Sequence, residues 1–305
     1  MSWKEKLKFN GDQEYSWLDS KFDEFDIARC AIGETESYVF HKKHTKGAHL
    51  RKLAQVPFHQ IQWETPYYNK VLDNMVQIEN AKDRVVLDFG CGDGRFTEYL
   101  LSKGFEKIVC VDFDYATLVS LSEFAKEKGY EDNLLIIHSD FENLPFNGEQ
   151  FHLILSIGVL YYLNDLYEDS IQRFHDLILP NGQMITSDPE MEGFLLRSLI
   201  FDSLDEAIDT FDQRRFKETK EKTEYRFRVF HKDEWIQIFE NAGFKVGGSQ
   251  GISLFHNLLR ILLLRGVIDE SVLNENLDQI KSILDFLHDH GSLHKHKIWN
   301  LIKAG

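Results

Sequence analysis

Between Arg84 and Asp188, short apolar runs alternate regularly with longer amphipathic stretches. Five of these runs have the length of strands: RVVLDF, KIVCVDF, NLLIIH, FHLILSI and QMITSD. Because the runs are apolar on both faces, they predict strands buried between two helical layers, which is typical of a parallel sheet. Beyond a helix at DEWIQIFENAG, two more strands are predicted at FKV and KIWNLIKAG. The sequence therefore predicts an α/β fold with a doubly wound, seven-stranded sheet.

Four segments follow from where the alternation starts, stops and resumes. They are a cap of mixed helix and loop (1–80), the sheet core (81–190), an inserted, mainly helical and charged lid (191–230), and a C-terminal completion of the sheet (231–305). Two amphipathic helices are predicted inside the last segment, near Leu254–Leu264 and Val272–His288.

The charge and cysteine content of the chain limit its partners and location. Lys and Arg number 35 against 50 Asp and Glu, a formal charge of -15, which disfavours binding to DNA or RNA. Three cysteines are too few for a disulfide framework and lack the spacing of metal ligands. The N-terminus does not resemble a signal peptide, and no apolar run is long enough to span a bilayer. These features predict a cytoplasmic protein without a membrane partner.

The segment VVLDFGCGDGRF combines a buried strand with three glycines, Gly90, Gly92 and Gly94, that open a helix. Glycine allows a positive φ and lets the backbone approach a ligand closely. A dinucleotide-binding loop would place its third glycine at position 95, where this chain has Arg95, so NAD is disfavoured. No GK[ST] follows, which excludes a P-loop. A tight turn without any ligand stays open as an alternative.

The residues from Asp88 to Gly94 resemble motif I of the class I S-adenosylmethionine-dependent methyltransferases. Asp112 at the end of the second strand, the segment SDFENLPF from Ser139, FHLILSIGVLYYLND and the turn Leu-x-Pro-Asn-Gly are similar to further segments of that family, in the same order. The resemblance covers about residues 84 to 190 and the final strands. It implies a mostly parallel, Rossmann-like sheet with an antiparallel last strand, S-adenosylmethionine as cofactor, and methyl transfer by in-line displacement.

The same resemblance assigns roles to individual residues. Asp112 would accept hydrogen bonds from both ribose hydroxyls, Phe113 would offer a face to adenine, and Asp140 would accept from the adenine amino group. An acidic rim with Asp88, together with carbonyls near Gly90 and Ile157, would suit the cationic sulfonium. The expected cofactor-binding residues are Asp88, Gly90, Gly92, Gly94, Asp112, Phe113, Asp140, Phe141 and Ile157.

Two basic segments suggest the chemistry of the methyl acceptor. From Ser37 to Trp63 there are five Lys or Arg and no acidic residue, and from Arg214 to Lys232 there are eight against three Glu. In a strongly acidic chain, both segments favour a small anionic acceptor carrying a phosphate, carboxylate or sulfate. The alternative is that both are solvated surfaces.

Residues near the predicted carboxyl edge of the sheet are candidates for catalysis. Tyrosine hydroxyls could orient an acceptor, and a hydroxyl acceptor would need a base with a pKa near neutrality, such as histidine. The catalytic candidates are Tyr68, Tyr162, His59 and His231, with the neighbouring Tyr67 and Tyr161, and with Asp188 and Glu190 as possible holders of a polar acceptor.

The sequence allows several other interpretations. Residues 247–251 fit G-x-S-x-G, so Ser249 could be a hydrolase nucleophile, with Asp285 and His288 following in order, although a sheet-completing tail explains the segment without it. Histidines between His288 and His296 lack a convincing fourth ligand, and no metal site is predicted. A catalytically silent cofactor-binding regulatory protein and an aminopropyl transferase are the remaining alternatives.

Overall fold

Helices and strands alternate through most of the described chain. The computed structural model describes residues 2–11, 13–33, 49–55, 60–220, 223–253, 255, 259, 262–263, 265–290 and 294–305. Its strands are β1 (Ile27–Arg29), β2 (Val85–Phe89), β3 (Lys107–Asp112), β4 (Leu134–His138), β5 (Phe151–Ile157), β6 (Ile178–Pro189), β7 (Arg215–Lys220), β8 (Thr223–Arg228), β9 (Phe244–Ser253) and β10 (His294–Lys303). Its α-helices are Tyr15–Asp19, Leu50–Leu53, Gln60–Met75, Arg95–Ser102, Tyr115–Lys128, Tyr167–Leu177, Met191–Phe201, Leu204–Gln213, Lys232–Asn241, Glu270–Glu275 and Leu277–His290. Short 3-10 helices span Lys4–Lys6, Ala81–Asp83 and Leu160–Leu166.

Eight of these strands form one sheet, in the order β1-β4-β3-β2-β5-β6-β10-β9. β10 runs antiparallel to β6 and β9, whereas the other neighbours pair in parallel. The predicted α/β fold and the antiparallel last strand are therefore confirmed. The predicted count of seven strands was wrong, because β1 adds an edge strand from the N-terminal segment, with Ile27 paired to Ile136. Its three residues are too few to show a hydrophobic period.

The central strands bury a different hydrophobic cluster on each face of the sheet. Leu87 and Val109 belong to one cluster, and Val86 and Ile108 belong to the other. Because successive side chains of a strand point to opposite faces, β2 and β3 need apolar residues at nearly every position. Burial on both sides explains why the central runs show no polar face.

The strand order reverses beside β2, which fixes where a ligand can bind. β3 and β4 follow on one side of β2, whereas β5 and β6 follow on the other. In open α/β sheets, ligands bind outside the carboxyl ends of the strands at such a switch point. The loops after β2 and β5 therefore flank the expected crevice.

The segment 191–230 differs from the mainly helical lid that the sequence predicted. Two helices are present, but they are followed by an antiparallel hairpin of β7 and β8. Phe216, Tyr225 and Phe227 are buried, so Tyr225 and Phe227 give β8 the period of two that a strand with one covered face requires. Charged residues between these positions hid that pattern.

The last third of the chain also departs from its prediction in two places. The strand expected at FKV continues to Ser253, and Ser249 lies inside it, paired with Trp299. Ser249 therefore does not occupy the sharp strand-to-helix turn that a hydrolase nucleophile needs. The helix expected at Val272–His288 is interrupted at Asn276.

Much of the other predicted helix, at Leu254–Leu264, lies outside the described residues. The segment boundaries at 81, 191 and 231 stay predictions. Among the described residues, every helix is too short or too polar to cross a bilayer.

Candidate functional site

The three glycines after β2 have different surroundings, although all three have a positive φ, of 75° at Gly90, 55° at Gly92 and 91° at Gly94. A Cβ at Gly90 would lie 2.2 Å from a methyl carbon of Val159, and one at Gly94 would lie 2.5 Å from Leu121. A Cβ at Gly92 would meet nothing within 4 Å. Gly90 and Gly94 therefore let the loop pack against the protein, whereas Gly92 leaves its outer side open.

Asp112, at the end of β3, is tied directly to this loop. Its Oδ2 accepts a hydrogen bond from the Gly92 amide at 2.8 Å, and its Oδ1 accepts from the Asp114 amide at 2.8 Å. Burial raises the pKa of Asp112 to about 6, although both amides act in the opposite direction. The glycine loop and the predicted ribose-binding carboxylate therefore share one location.

Asp140 follows β4, the next strand along the same edge. The Ser139 amide donates to the Asp112 carbonyl at 3.1 Å, which joins the ends of β3 and β4. The Oδ1 of Asp140 accepts from the backbone amide and the side-chain amide of Asn143, both at 2.8 Å, and its Oδ2 accepts from the Gly33 amide. The carboxylate lies beside the predicted site but already has partners, so its role toward adenine stays a prediction.

The three apolar residues predicted near the cofactor have different surroundings. Phe113 is half-buried, and its carbonyl lies 3.0 Å from the Nε2 of His138. Phe141 is buried in the core, with its ring centroid 6.1 Å from that of Phe174. Ile157 ends β5 and is half-buried. Phe113 and Ile157 lie at the carboxyl edge of the sheet, whereas the ring of Phe141 belongs to the hydrophobic core.

Asp88 does not form the exposed acidic rim that the sequence suggested. Its side chain is 2% exposed, and its Oδ2 accepts a hydrogen bond from the Thr97 hydroxyl at 2.7 Å. Burial, with a smaller contribution from Asp112, raises the pKa of Asp88 to about 7. The carboxyl group lies beneath the glycine loop and joins β2 to the following helix.

Replacing Asp88 by asparagine is expected to change how stability depends on pH. The folded protein holds the Asp88 proton up to about pH 7, whereas an unfolded chain releases it near 3.8, so the free energy of unfolding falls as pH rises between these values. Asp88→Asn keeps an acceptor for Thr97 and removes this proton. Urea unfolding should show similar stability at about pH 4 and a more stable variant at about pH 8. A difference that does not change with pH would contradict the assignment.

Tyr67 and Tyr68, neighbours on the helix Gln60–Met75, contact different parts of the protein. The Tyr67 hydroxyl donates to Asp285 at 2.9 Å, and Tyr67 lines a cavity of about 550 Å³ formed mainly by the helices Gln60–Met75 and Leu277–His290. The Tyr68 hydroxyl lies 3.4 Å from the Nδ1 of His296, and burial raises the pKa of Tyr68 well above its ordinary value. Of the two, Tyr68 is the one associated with the glycine-loop side, because Arg95 lies 4.9 Å over its ring.

The tyrosines after β5 belong to the inserted segment's core. The Tyr162 hydroxyl donates to Glu218 at 3.2 Å, and the rings of Tyr161 and Tyr162 lie 4.4 Å apart. Tyr161 is buried against Phe227 at 5.1 Å. Both tyrosines therefore connect the loop after β5 to the β7–β8 hairpin.

Of the two histidines predicted as possible bases, only His231 lies among the described residues. His231 is the N-cap of the helix Lys232–Asn241, where its Nδ1 accepts from the Asp233 amide at 3.3 Å and its own amide donates to Glu234 at 2.8 Å. This capping box accounts for His231 structurally, and the ring also lies 3.3 Å from Glu192. His59 lies outside the described residues.

Both carboxylates predicted to hold a polar acceptor have protein partners. Asp188 is fully buried and accepts from the Tyr167 hydroxyl at 2.8 Å, and burial raises its pKa to about 7. Glu190 forms ion pairs with Lys297 and, at 3.3 Å, with His294, which keep its pKa low despite burial. Both carboxylates therefore already have protein partners, and their role toward a polar acceptor stays a prediction.

The basic segment from Arg214 to Lys232 is largely neutralised by acidic partners. Five of its described cations form ion pairs: Arg214 with Glu234, Arg215 with Asp165, Lys217 with Glu206, Arg226 with Asp209, and Arg228 with Glu168. These contacts favour the alternative that this segment is a solvated, paired surface. Most of the other basic segment, from Ser37 to Trp63, lies outside the described residues.

Two arginines that sequence reasoning did not single out as site residues have buried nitrogens without a hydrogen-bond partner in the described structure. They are Arg95, at Nε and Nη2, and Arg197, at Nη1. Arg95 follows the glycine loop directly, and Arg197 lies on the helix that follows β6. The position of Arg95 directly after Gly94 is the one feature of the sequence that could have pointed to it. The sequence could not show which cations lack hydrogen-bond partners.

Comparison with known proteins agrees with this geometry. Residues 86–182 match the model of a family described as a methyltransferase domain. An uncharacterized methyltransferase of Oceanobacillus iheyensis is 30% identical over 127 residues, which cover 41% of this chain and 55% of that protein. A tRNA U34 carboxymethyltransferase of Vibrio vulnificus is 28% identical over 133 residues, or 43% of this chain and 40% of that one. The chain therefore spans about half the length of these relatives.

A solved structure shows the same fold over more of the chain. It is the 1,6-didemethyltoxoflavin-N1-methyltransferase of Burkholderia thailandensis with bound 1,6-didemethyltoxoflavin and S-adenosylhomocysteine, with a TM-score of 0.54, 15% identity, and coverage of 88% of this chain and 87% of that one. The matched family segment contains the glycine loop, Asp112 and Asp140. Residues 86–182 therefore match a methyltransferase domain, and the chain has the fold of that solved methyltransferase.

Proposed function

We propose that the protein binds S-adenosylmethionine at the carboxyl edge of its sheet and transfers the methyl group to a small anionic molecule. The observation that carries this proposal is the hydrogen bond between the Gly92 amide and Asp112, 2.8 Å long. This hydrogen bond places Asp112, a carboxylate suited to ribose hydroxyls, beside the glycine loop, which can approach a ligand closely. Both lie at the switch in strand order, where such sheets bind ligands.

Methyl transfer from a sulfonium requires little covalent chemistry from the residues of the protein. The acceptor atom must lie in line behind the methyl group, and water must be kept away. The helix Gln60–Met75, whose Tyr68 contacts His296 opposite the end of β6, and the inserted segment after β6 are the parts of the chain that could supply this enclosure. Tyr68, whose hydroxyl lies 3.4 Å from His296, is the tyrosine we favour for orienting the acceptor.

Arg197 supports an anionic acceptor. Its guanidinium lies 4.4 Å over the ring of Phe216, and its buried Nη1 has no hydrogen-bond partner among the described residues. Burial lowers the pKa of Arg197, while Asp202 and Glu218 act in the opposite direction. An anion on the acceptor would give the buried Nη1 of Arg197 a hydrogen-bond partner.

The tRNA-modifying relatives raise RNA as the competing acceptor. The formal charge of -15 opposes long-range attraction of a nucleic acid, and five cations of the basic segment are paired. A small molecule is therefore the acceptor we favour.

A transfer assay tests the proposal. Methyl-labelled S-adenosylmethionine is incubated with the protein and either a small-molecule extract or an RNA pool. We expect label in small molecules that bind an anion-exchange resin. Label confined to RNA or to neutral compounds would contradict the anionic acceptor, and cofactor binding without any transfer would favour the silent regulatory alternative.

Arg197→Gln is expected to lower transfer into the anionic fraction by about tenfold, the loss expected for one charge-assisted hydrogen bond. Cofactor affinity should not change, since Arg197 lies on the helix that follows β6 and not at the glycine loop. Arg215→Gln is the matched control, because it removes the same charge from the neighbouring hairpin, where Arg215 pairs with Asp165 at 2.7 Å. Equal losses in both variants would contradict a specific role for Arg197.

A further inference from the structure

The two helices of the inserted segment, Met191–Phe201 and Leu204–Gln213, expose large apolar side chains to solvent. The exposed residues are Leu199, Ile200, Leu204, Ile208 and Phe211. The last three are separated by four and three positions, which places them on one face of the second helix. We call these three residues the apolar stripe, and they are 63%, 50% and 51% exposed. Single exposed apolar residues are ordinary, whereas a contiguous group of them marks an interaction surface.

The opposite face of the same helix packs against the protein with small and charged side chains. Ala207 and Thr210 are buried, and Glu206 and Asp209 form ion pairs with cations of the β7–β8 hairpin. A surface helix normally does the reverse, since it turns its large apolar residues to the core and its charges to water. Because both ion pairs hold the helix in this orientation, the apolar stripe is directed outward, where a partner would cover it.

Two carboxylates line one edge of the apolar stripe. Asp205 and Asp212 are seven positions apart, so they lie on the same side of the helix, and both are exposed. Neither forms an ion pair with another residue in the described part of the chain. The neighbouring cation, Arg214, lies 4.8 Å over the ring of Phe211 but is already paired with Glu234. A partner that covers the apolar stripe therefore meets a negative edge, which cations would complement.

Charge disfavours two other occupants of this surface. A second copy of the chain would bring the same carboxylates and a formal charge of -15 to the contact, so like charges would oppose it. Anionic membrane surfaces attract helices whose apolar face is flanked by Lys and Arg, whereas this one is flanked by Asp. A helix with apolar residues at helical spacing and Lys or Arg beside them complements both the apolar stripe and its acidic edge.

We propose that the apolar stripe is a docking surface for a basic amphipathic helix of another protein. Apolar side chains of that helix would cover Leu204, Ile208 and Phe211, and its Lys or Arg side chains would lie beside Asp205 and Asp212. The inference does not depend on methyl transfer, so it is tested without cofactor or acceptor.

Three designed peptides of about 18 residues, or five helical turns, serve as probes. The first has leucine at helical spacing and lysine elsewhere, the second has the same composition in an order without an apolar face, and the third has glutamate in place of lysine. Fluorescence anisotropy should show that the first peptide binds at least about tenfold more tightly than the other two. Ile208→Gln should weaken its binding by about tenfold, and Asp212→Lys by about threefold.

The matched control is Ile78→Gln, because Ile78 is 52% exposed but lies outside the inserted segment. This variant should bind all three peptides like the wild type. Equal binding of the first two peptides, or equal losses in Ile78→Gln and Ile208→Gln, would overturn the inference.

Two further measurements test the other occupants. A wild-type dimer that is detected by light scattering and dissociated by Ile208→Gln would overturn the inference, because a second copy would then cover the apolar stripe. Binding to phosphatidylcholine vesicles that is abolished by Ile208→Gln would overturn it in favour of a membrane surface. We expect a wild-type monomer that does not bind the vesicles.

Discussion

Asp112→Ala is expected to weaken binding of S-adenosylmethionine by about 100-fold or more. A ribose offers two hydroxyl donors to one carboxylate, and each hydrogen bond to a charged group contributes about 1.5–3 kcal/mol. The substitution also removes the acceptor that holds the Gly92 amide, so the loop loses a support at the same time. Calorimetric titration with the cofactor measures the effect.

Two further variants make this result interpretable. Asp112→Asn keeps the shape but replaces one acceptor oxygen by a donor, so it should also lose most of the affinity. Asp83→Ala removes an exposed carboxylate near the opposite end of the sheet and should bind like the wild type. Because burial raises the pKa of Asp112 to about 6, the wild-type protein should bind the cofactor more weakly as pH falls through that value. Unchanged affinity in Asp112→Ala would remove this carboxylate from the site.

Gly90→Ala is expected to lower the free energy of unfolding by about 2–5 kcal/mol, whereas Gly92→Ala should lower it by about 1–2 kcal/mol. Both positions have a positive φ, which a side chain disfavours. At Gly90 the new methyl group would also overlap Val159, whereas at Gly92 it would meet nothing within 4 Å. Urea unfolding of the three proteins measures both differences.

A double variant isolates the steric part of this effect. Val159→Ala removes the two methyl groups that would lie 2.2 and 2.8 Å from a Cβ at position 90. Adding it to Gly90→Ala should recover part of the lost stability, while the backbone strain stays. Gly92→Ala should gain nothing from the same addition. If Val159→Ala destabilises both glycine variants equally, close packing does not explain the requirement at position 90.

The sheet could be predicted because its central strands have to be apolar on both faces. RVVLDF and KIVCVDF express that requirement without ambiguity, so β2 and β3 were found with nearly correct bounds. β1 was missed because three residues gain their strand conformation from pairing with β4, not from a pattern of their own. The β7–β8 hairpin was missed because its exposed face is densely charged.

The candidate site was predictable to the extent that chain order determines position. Residues at the ends of neighbouring parallel strands must meet, and Gly92 and Asp112 do so. Ion pairs could not be predicted from chain order in this way. Asp165 and Glu168, which neutralise Arg215 and Arg228, are distant from them in sequence. For the same reason, no pattern in the chain could have shown that Arg95 is left without a partner among the described residues.

The contact between the Gly33 amide and Asp140 affects how any measured affinity should be understood. An adenine amino group that binds this carboxylate oxygen in place of the Gly33 amide would break that contact. Cofactor uptake and the release of residue 33 would then be one thermodynamic event. The dissociation constant measured by titration would then include the free energy needed to break the hydrogen bond between Gly33 and Asp140. The contacts of the adenosyl group itself would therefore be stronger than the measured affinity indicates.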